Sequence, residues 1–117
     1  MTGCSGFLGS WLVQALVQQG ASVVGLVRDH VPQSMLFRSG TADQIRIVNG
    51  ELNDIMLLER ILAQYEIETI FHLAAQTIVG IANRSPLSTF VTNIRGSWHL
   101  LEAARRASGV KGIVVAS

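Results

Sequence analysis

Thr2-Gly3-Cys4-Ser5-Gly6-Phe7-Leu8-Gly9 places three glycines at a spacing of three and leads directly into a helical pattern. A tight turn, a close approach of the backbone to a pyrophosphate, and close packing of a helix on a sheet each favour glycine at such positions. The N-terminus of the following helix offers free N–H groups and the positive end of its dipole to phosphate. On its own, the motif is equally typical of a capped, glycine-rich turn, so its context has to decide.

The segments after the loop favour the phosphate-binding interpretation. Apolar spacing predicts a helix over Phe7–Gln19, followed by a β-branched strand over Ser22–Val27. This strand ends about 18 residues after Gly9, which is the usual distance from such a loop to the residue that contacts a ribose. One part is missing, because only Met1 and Thr2 precede the glycines, where a hydrophobic strand is expected.

The rest of the chain alternates between strand-like and helical segments. The apolar strands are continuous runs, which is typical of strands covered by helices on both faces and therefore of a parallel sheet. The sequence predicts an α/β fold, a partial Rossmann-type doubly wound parallel sheet that lacks its first strand and its C-terminal part. The predicted strands are Ile45–Val48, Thr69–Leu73 and Gly112–Ala116, the predicted helices are Ile55–Tyr65 and Pro86–Ala107, and His30–Thr41 and Gln76–Arg84 are predicted to be loop-like or irregular.

Helical periodicity also predicts which helix positions are buried. The predicted buried positions are Leu8, Trp11, Leu12, Ala15 and Leu16 in the first helix, Leu58, Ile61, Leu62 and Tyr65 in the second, and Leu87, Phe90, Val91, Ile94, Trp98 and Leu101 in the third.

Two further residues are expected to have structural roles. His72 lies inside an apolar strand and is expected to be a packed, hydrogen-bonded residue, and Cys4 is expected to be a small residue that fills a loop position.

Composition bounds the class of protein. The chain has 117 residues, of which 49% are hydrophobic and 15% charged, and this excludes a disordered chain and allows one domain with a real core. A net charge of +1 provides no basic field, so no nucleic-acid partner is expected. The single cysteine excludes a disulfide framework, and the three histidines are too scattered to form a metal site with it. No apolar run approaches the roughly 18 residues of a membrane span, and no signal peptide is evident, so we expect a cytoplasmic protein without membrane contact.

Further motifs follow the glycine loop in a fixed order. They are Gly50–Asp54, Phe71–Gln76, Pro86–Ser97, Leu100–Ala104 and Val114–Ser117. Together with the loop they resemble the extended short-chain dehydrogenase/reductases, or NAD-dependent epimerase/dehydratase family, over nearly the whole chain. Within this family, Gly9-Ser10-Trp11-Leu12 and Ala75-Gln76-Thr77-Ile78-Val79 look most like sugar-nucleotide 4,6-dehydratases of the CDP-glucose and GDP-mannose kind.

The resemblance implies roles for particular residues. Glu51 and Leu52 stand where the family has an aspartate and an apolar residue beside the adenine, and Asn93 matches a structural asparagine. The glycine loop would lie against the cofactor pyrophosphate, and one strand end would pass under the ribose on the nicotinamide side. The loop residues are Gly3, Ser5, Gly6, Phe7, Leu8 and Gly9, and the strand-end residues are Leu73, Ala74, Ala75 and Gln76.

The choice of cofactor is left open by the sequence. Family members that prefer NAD often carry an acidic residue at the end of the second strand, where this chain has Val27. Arg28 follows and would suit the 2′-phosphate of NADP, whereas Asp29 comes next and would repel it. The expected cofactor is therefore NAD or NADP.

The catalytic residues that the resemblance implies are not in this chain. The family uses a serine or threonine after the fourth strand seen here and a Tyr-x-x-x-Lys pair, whose lysine lowers the pKa of the tyrosine for proton transfer. Ser117 aligns with the first serine of that region, short of the catalytic one. Tyr65 is the only tyrosine, and Thr69 stands four residues after it instead of lysine.

The resemblance therefore implies an incomplete NAD(P)-binding domain over residues 1–117, without a substrate domain and cut at both ends. It would be the N-terminal part of a nucleotide-sugar 4,6-dehydratase or epimerase, inactive alone, whose whole enzyme binds a nucleotide sugar and forms a homodimer or larger oligomer. Two alternatives stay open: a non-catalytic dinucleotide-binding module, and an NADP-dependent reductase of the same superfamily.

Overall fold

The computed structural model describes residues 1–116 and has the predicted α/β composition. Four strands alternate with helices along these residues, and a 3₁₀ turn covers Thr41–Gln44. The strands are β1 (Val24–Val27), β2 (Arg46–Asn49), β3 (Thr69–His72) and β4 (Gly112–Val115). The helices are α1 (Phe7–Gln18), α2 (Met35–Arg38), α3 (Ile55–Gln64), α4 (Val79–Arg84), α5 (Pro86–Phe90) and α6 (Gly96–Arg106), with a π-helical segment over Val91–Arg95.

The chain forms two compact units. The first comprises Met1–Gly50, Phe71–Ala74 and residues 115–116, and the second comprises Glu51–Ile70 and Ala75–Val114. The glycine loop, α1, β1 and β2 belong to the first unit, and the helices from α3 to α6 belong to the second.

The strands pair in parallel, as predicted. β1 pairs with β2 in a register that runs from Val24 opposite Arg46 to Val27 opposite Asn49. β3 is hydrogen-bonded to β4. Residues later in β3 pair with residues later in β4, because Lys111 donates to the Glu68 carbonyl at 2.7 Å and Ala116 to the His72 carbonyl at 3.0 Å. The two strands therefore run in the same direction.

Thr2, which directly precedes the glycines, pairs with a strand on each of its two sides. Thr2 forms isolated parallel bridges to Leu26 on one side and to His72 on the other. The Leu26 amide donates to the Met1 carbonyl at 2.9 Å, and the Thr2 amide donates to the Phe71 carbonyl at 2.9 Å. One bridging residue therefore stands between two two-stranded sheets, where the full fold places a central strand.

Helix α1 buries only part of the predicted face. Leu16 packs against the core, whereas Leu8 and Trp11 are 62% and 50% exposed. The buried positions are Gly9, Ser10 and Val13. Near the glycine loop the buried face of α1 consists of small residues, because a side chain at Gly9 would overlap the Gly3 carbonyl oxygen. The core of this unit centres on Cys4, Val13, Val23, Val27 and Leu36.

Helices α3 and α6 pack together in the second unit. Asp54 caps α3, because its carboxylate accepts a hydrogen bond from the Leu57 amide at 2.9 Å. The prediction for α3 is confirmed for Leu58, Ile61 and Leu62, which are buried, whereas Tyr65 is half-buried.

The prediction for the long helix was wrong about its buried face. The helical stretch does extend from Pro86 to Arg106, but five large apolar residues on it are exposed, from 74% at Leu87 to 45% at Leu101. The buried positions are instead Gly96, Leu100, Ala103 and Ala104, whose spacing fits one helical face. The exposed residues form an apolar stripe of Leu87, Phe90, Ile94, Trp98 and Leu101.

Two segments predicted to be irregular contain short helices. Gln76–Arg84 includes α4, which has no side-chain cap at Ile78 and so carries no capping signal in the sequence. His30–Thr41 includes α2, in which Leu36 is completely buried. Within the part of the chain that the structure describes, no helix is long and apolar enough to cross a membrane.

The buried histidine makes the stability of the chain sensitive to pH. Burial lowers the pKa of His72 below its ordinary value of 6.5, so the unfolded chain binds more protons at mildly acidic pH than the folded chain does. We expect the free energy of unfolding to fall as the pH drops below about 6.5, measured by urea denaturation at pH 7.5, 6.5 and 5.5. In the non-titrating variant His72→Asn this part of the pH dependence should disappear, and an identical slope in both proteins would contradict the assignment.

Candidate functional site

The glycine loop is held so tightly that two of its glycines cannot carry a side chain. Gly3 has a left-handed φ of 72°, and a Cβ atom there would lie 2.6 Å from the Ala74 nitrogen. A Cβ atom at Gly9 would overlap the Gly3 carbonyl oxygen. The loop closes through a hydrogen bond of 3.1 Å from the Gly6 amide to the same oxygen. The spacing of the glycines is therefore imposed by backbone packing.

Beyond the loop, the N-terminus of α1 is open. Gly6 is the N-cap residue, with extended backbone and no side-chain cap, and the first turn contains no acidic residue. The first N–H groups of a helix have no intrahelical acceptor, and here Phe7 and Leu8 are 88% and 62% exposed. Together with the helix dipole, these donors can stabilise an anionic group of a ligand. Ser5 lies half-buried within the same loop.

A buried residue supports the loop from inside the first unit. Cys4 is fully buried, and its Sγ atom lies 3.8 Å from the Leu26 carbonyl oxygen. Burial raises the pKa of the Cys4 thiol, which keeps it protonated and unreactive near neutral pH. A Cβ atom at Gly25 would lie 2.8 Å from this sulfur, so the thiol fills the space above the strand. The prediction that Cys4 fills a loop position is confirmed.

At the end of β1, two neighbouring charges face solvent. The Arg28 Nε atom donates to the Asp29 carboxylate at 2.6 Å, and both side chains are more than half exposed. Val27, which stands where an acidic residue is frequent, is buried in the core instead. Recognition of a ribose or its 2′-phosphate at this strand end would therefore rest on Arg28 and Asp29.

In the second unit, Leu52 is buried against a glycine of α6. A Cβ atom at Gly96 would lie 2.9 Å from the Leu52 Cβ atom, so only glycine allows this approach without rearrangement. Glu51 is exposed, and its carbonyl accepts a hydrogen bond from the Asp54 amide at 3.2 Å. Gly96 is a supporting residue that the sequence analysis missed, and its close contact with Leu52 could not be inferred from residue types.

Asn93 fixes the backbone of Gln76 within the second unit. Its Oδ1 atom accepts from the Gln76 amide at 2.7 Å, and its Nδ2 atom donates to the Gln76 carbonyl at 3.1 Å. Asn93 lies in the π-helical segment, where an extra residue per turn changes the direction of the side chains, as is frequent at functional sites. This geometry agrees with the structural role that the resemblance implied for Asn93. Ala75, just before Gln76, is exposed.

The structure places the predicted site residues in two groups. In the first unit the loop residues Gly3 and Gly9 lie together with Leu73 and Ala74, whereas Glu51, Leu52, Ala75 and Gln76 belong to the second unit. The prediction for Ser117 falls outside the described residues. Among residues 1–116, no cluster of three or more His, Cys, Asp or Glu side chains is placed to hold a metal ion.

Comparison with known proteins gives a consistent assignment. A family model described as GDP-mannose 4,6 dehydratase matches residues 1–117. The CDP-glucose 4,6-dehydratase of Salmonella typhimurium is 33% identical over 115 residues, which cover 97% of this chain and 32% of that enzyme.

Two solved epimerase structures match the fold closely. A UDP-glucose 4-epimerase from Thermotoga maritima, crystallised with UDP-glucose, is 34% identical in sequence, and its fold matches with a TM-score of 0.83. The match covers 99% of this chain and 36% of the epimerase chain. A UDP-glucose 4-epimerase from Stenotrophomonas maltophila, with bound NAD and formylated UDP-arabinopyranose, is 31% identical with a TM-score of 0.84, and the match covers 99% of this chain and 35% of the epimerase chain.

This chain spans about a third of the length of these relatives. It matches their N-terminal Rossmann part, which confirms both the predicted fold class and the family that the motifs indicated. The chain belongs to the GDP-mannose 4,6 dehydratase family of extended short-chain dehydrogenase/reductases.

Proposed function

We propose that these 117 residues are the NAD-binding part of an enzyme that acts on nucleotide sugars. The observation that carries the proposal is the glycine loop, in which side chains are excluded at Gly3 and Gly9 and an uncapped helix begins at Phe7. This combination suits the pyrophosphate of a dinucleotide, which needs close backbone approach and several N–H donors.

The residues present fit such a cofactor. The backbone N–H groups of Phe7 and Leu8 would hold the pyrophosphate, because no acidic side chain stands in the first turn of α1 to repel it. When bound, NAD would supply the hydride acceptor, and the chain's own contribution is to bind and orient it.

Of the two dinucleotides, we propose NAD as the preferred one. The Arg28 guanidinium is already engaged by Asp29, so it is less available to a 2′-phosphate, and the Asp29 carboxylate would repel that phosphate. The bound NAD of the Stenotrophomonas maltophila epimerase supports this choice.

Removal of the aspartate charge should shift this preference. We expect calorimetric titration to show tighter binding of NAD than of NADP to the unmodified chain. Asp29→Asn should tighten NADP binding by about five- to tenfold, since Arg28 is then free for the phosphate. Asp43→Asn makes the same charge change elsewhere in the first unit and should have no effect; an equal effect of both variants would contradict the role of Asp29.

We also propose that this chain does not turn over substrate by itself. The resemblance requires a tyrosine with a lysine four residues later, and Tyr65 is followed at that position by Thr69. Neither a proton acceptor for the sugar hydroxyl nor the cation that would lower its pKa is thus available. Within these residues we propose a dinucleotide-binding domain that is incomplete and carries no substrate domain.

Incubation with NAD and each of CDP-glucose, GDP-mannose and UDP-glucose tests this proposal. We expect no dehydrated or epimerised product by mass spectrometry and NMR, while calorimetry on the same preparation shows saturable NAD binding. Product formation would contradict the claim about catalysis. Absence of NAD binding in a folded preparation would contradict the cofactor proposal instead, so the two failures are distinguishable.

The apolar stripe supports self-association as the quaternary arrangement. Its five residues are spaced by three and four positions, which is the spacing of a seam between paired helices, and no charged residue interrupts it. A two-fold interface requires a surface that complements itself, and an uncharged apolar stripe meets that condition. We propose that the stripe pairs with the same stripe of a second copy.

A charge in the stripe should dissociate such a dimer. Sedimentation equilibrium of the unmodified chain should give a mass above the 12.6 kDa of one copy. Ile94→Glu should return it to 12.6 kDa, because a carboxylate buried in an apolar interface is unpaired. Asn83→Glu, an exposed helical position outside the stripe, is the control and should stay associated. A single-copy mass for the unmodified chain would refute the proposal.

A further inference from the structure

Thr2 and His72 form a buried hydrogen-bonded pair beside the glycine loop. Their side chains belong to residues that are 4% and 3% exposed, and the Thr2 Oγ1 atom lies 2.7 Å from the His72 Nδ1 atom. The same hydroxyl oxygen accepts a hydrogen bond from the Ala74 amide at 3.3 Å. One hydroxyl group therefore connects the residue before the loop to two points near the end of β3.

The loop needs an anchor of this kind because glycine cannot supply one. Gly3 lies against the backbone of Leu73 and Ala74 so closely that a Cβ atom would be 2.6 Å from both the Leu73 carbonyl carbon and the Ala74 nitrogen. A residue without a side chain cannot bond its neighbours except through its backbone. The adjacent Thr2 side chain supplies hydrogen bonds to His72 and Ala74, which keep the loop close to the end of β3.

We propose that Thr2 and His72 are positioning residues that hold the glycine loop against the end of β3 and so set its geometry for the cofactor pyrophosphate. The effect on cofactor binding rests on the proposed function, in which the loop binds NAD. Neither side chain would touch the cofactor, because both are buried.

The proposal includes a direction for the bond between the two side chains. The Thr2 oxygen accepts from the Ala74 amide, and its own proton can point at the His72 Nδ1 atom. In this arrangement Nδ1 is the unprotonated acceptor, and the neutral His72 ring carries its proton on Nε2. Burial favours a neutral ring, because it lowers the pKa of His72.

Two substitutions separate the hydroxyl from the shape of the side chain. Thr2→Val keeps the shape and removes both hydrogen bonds, whereas Thr2→Ser keeps the hydroxyl. In Thr2→Val we expect amide hydrogen exchange at Gly3, Cys4 and Ser5 to accelerate about five- to tenfold more than exchange at β2, the effect of one or two lost buried hydrogen bonds. NAD binding should weaken by a similar factor, and Thr2→Ser should restore both.

Leu36→Ala is the matched control, because it creates a cavity in the core of the same unit at a residue of α2, outside the glycine loop and α1. It should accelerate hydrogen exchange by similar factors across the first unit and leave NAD affinity unchanged below the unfolding transition. Uniform acceleration of exchange in Thr2→Val, as in Leu36→Ala, would overturn the proposal.

A measurement on the unmodified chain keeps the test independent of how well the variants fold. Long-range proton–nitrogen correlation spectra at pH 7.5 should show His72 with an unprotonated Nδ1 and a protonated Nε2. The opposite tautomer would overturn the proposal, because the Thr2 hydroxyl could not then donate to Nδ1. Both hydrogen exchange and the His72 tautomer are measured without cofactor. If the chain fails to bind NAD, the proposed function is refuted, but these two measurements still test whether Thr2 and His72 hold the loop.

Discussion

The close approach of the Gly3 backbone to the end of β3 is the constraint on which the rest of the site depends. It leaves no room for a Cβ atom at Gly3, and the return of α1 toward the loop leaves none at Gly9. The loop ends at Gly6, which has no side chain to cap α1, so this helix begins uncapped and exposed at Phe7. The close backbone approach that suits the loop to a pyrophosphate is a consequence of backbone packing, and the buried side chains of Thr2 and Cys4 stabilise this packing.

The second unit follows the same principle at a different place. Gly96 allows Leu52 to seat against α6, and Ala103 and Ala104 belong to the buried face of the same helix. Small residues determine where elements approach, and large apolar residues are then left to fill the remaining space or to stay at the surface. The apolar stripe is the clearest case of large apolar residues that stay at the surface. It lies on the same helical stretch as the buried small residues Gly96, Ala103 and Ala104.

This principle explains how much of the molecule could be predicted from its sequence. The strands, the direction of their pairing and the long helix followed from apolar runs and periodicity, since both are local patterns. The buried faces of α1 and of the helix after Pro86 were predicted wrongly because the largest apolar residues, such as Trp11 and Trp98, were assumed to point inward. The glycine loop was identified by its spacing, but the contacts of Gly96 with Leu52 and of Thr2 with His72 join residues far apart in sequence, and no local pattern encodes them.

The bridging position of Thr2 also has a consequence for the order of folding. Its contact with His72 joins residues 70 positions apart, so it can form only after a long loop has closed, at an entropic cost of about 4 kcal/mol. The helices and the β1–β2 pair involve shorter separations and can form earlier. We therefore expect the glycine loop to assemble late in folding, after segments far apart in sequence have come into contact.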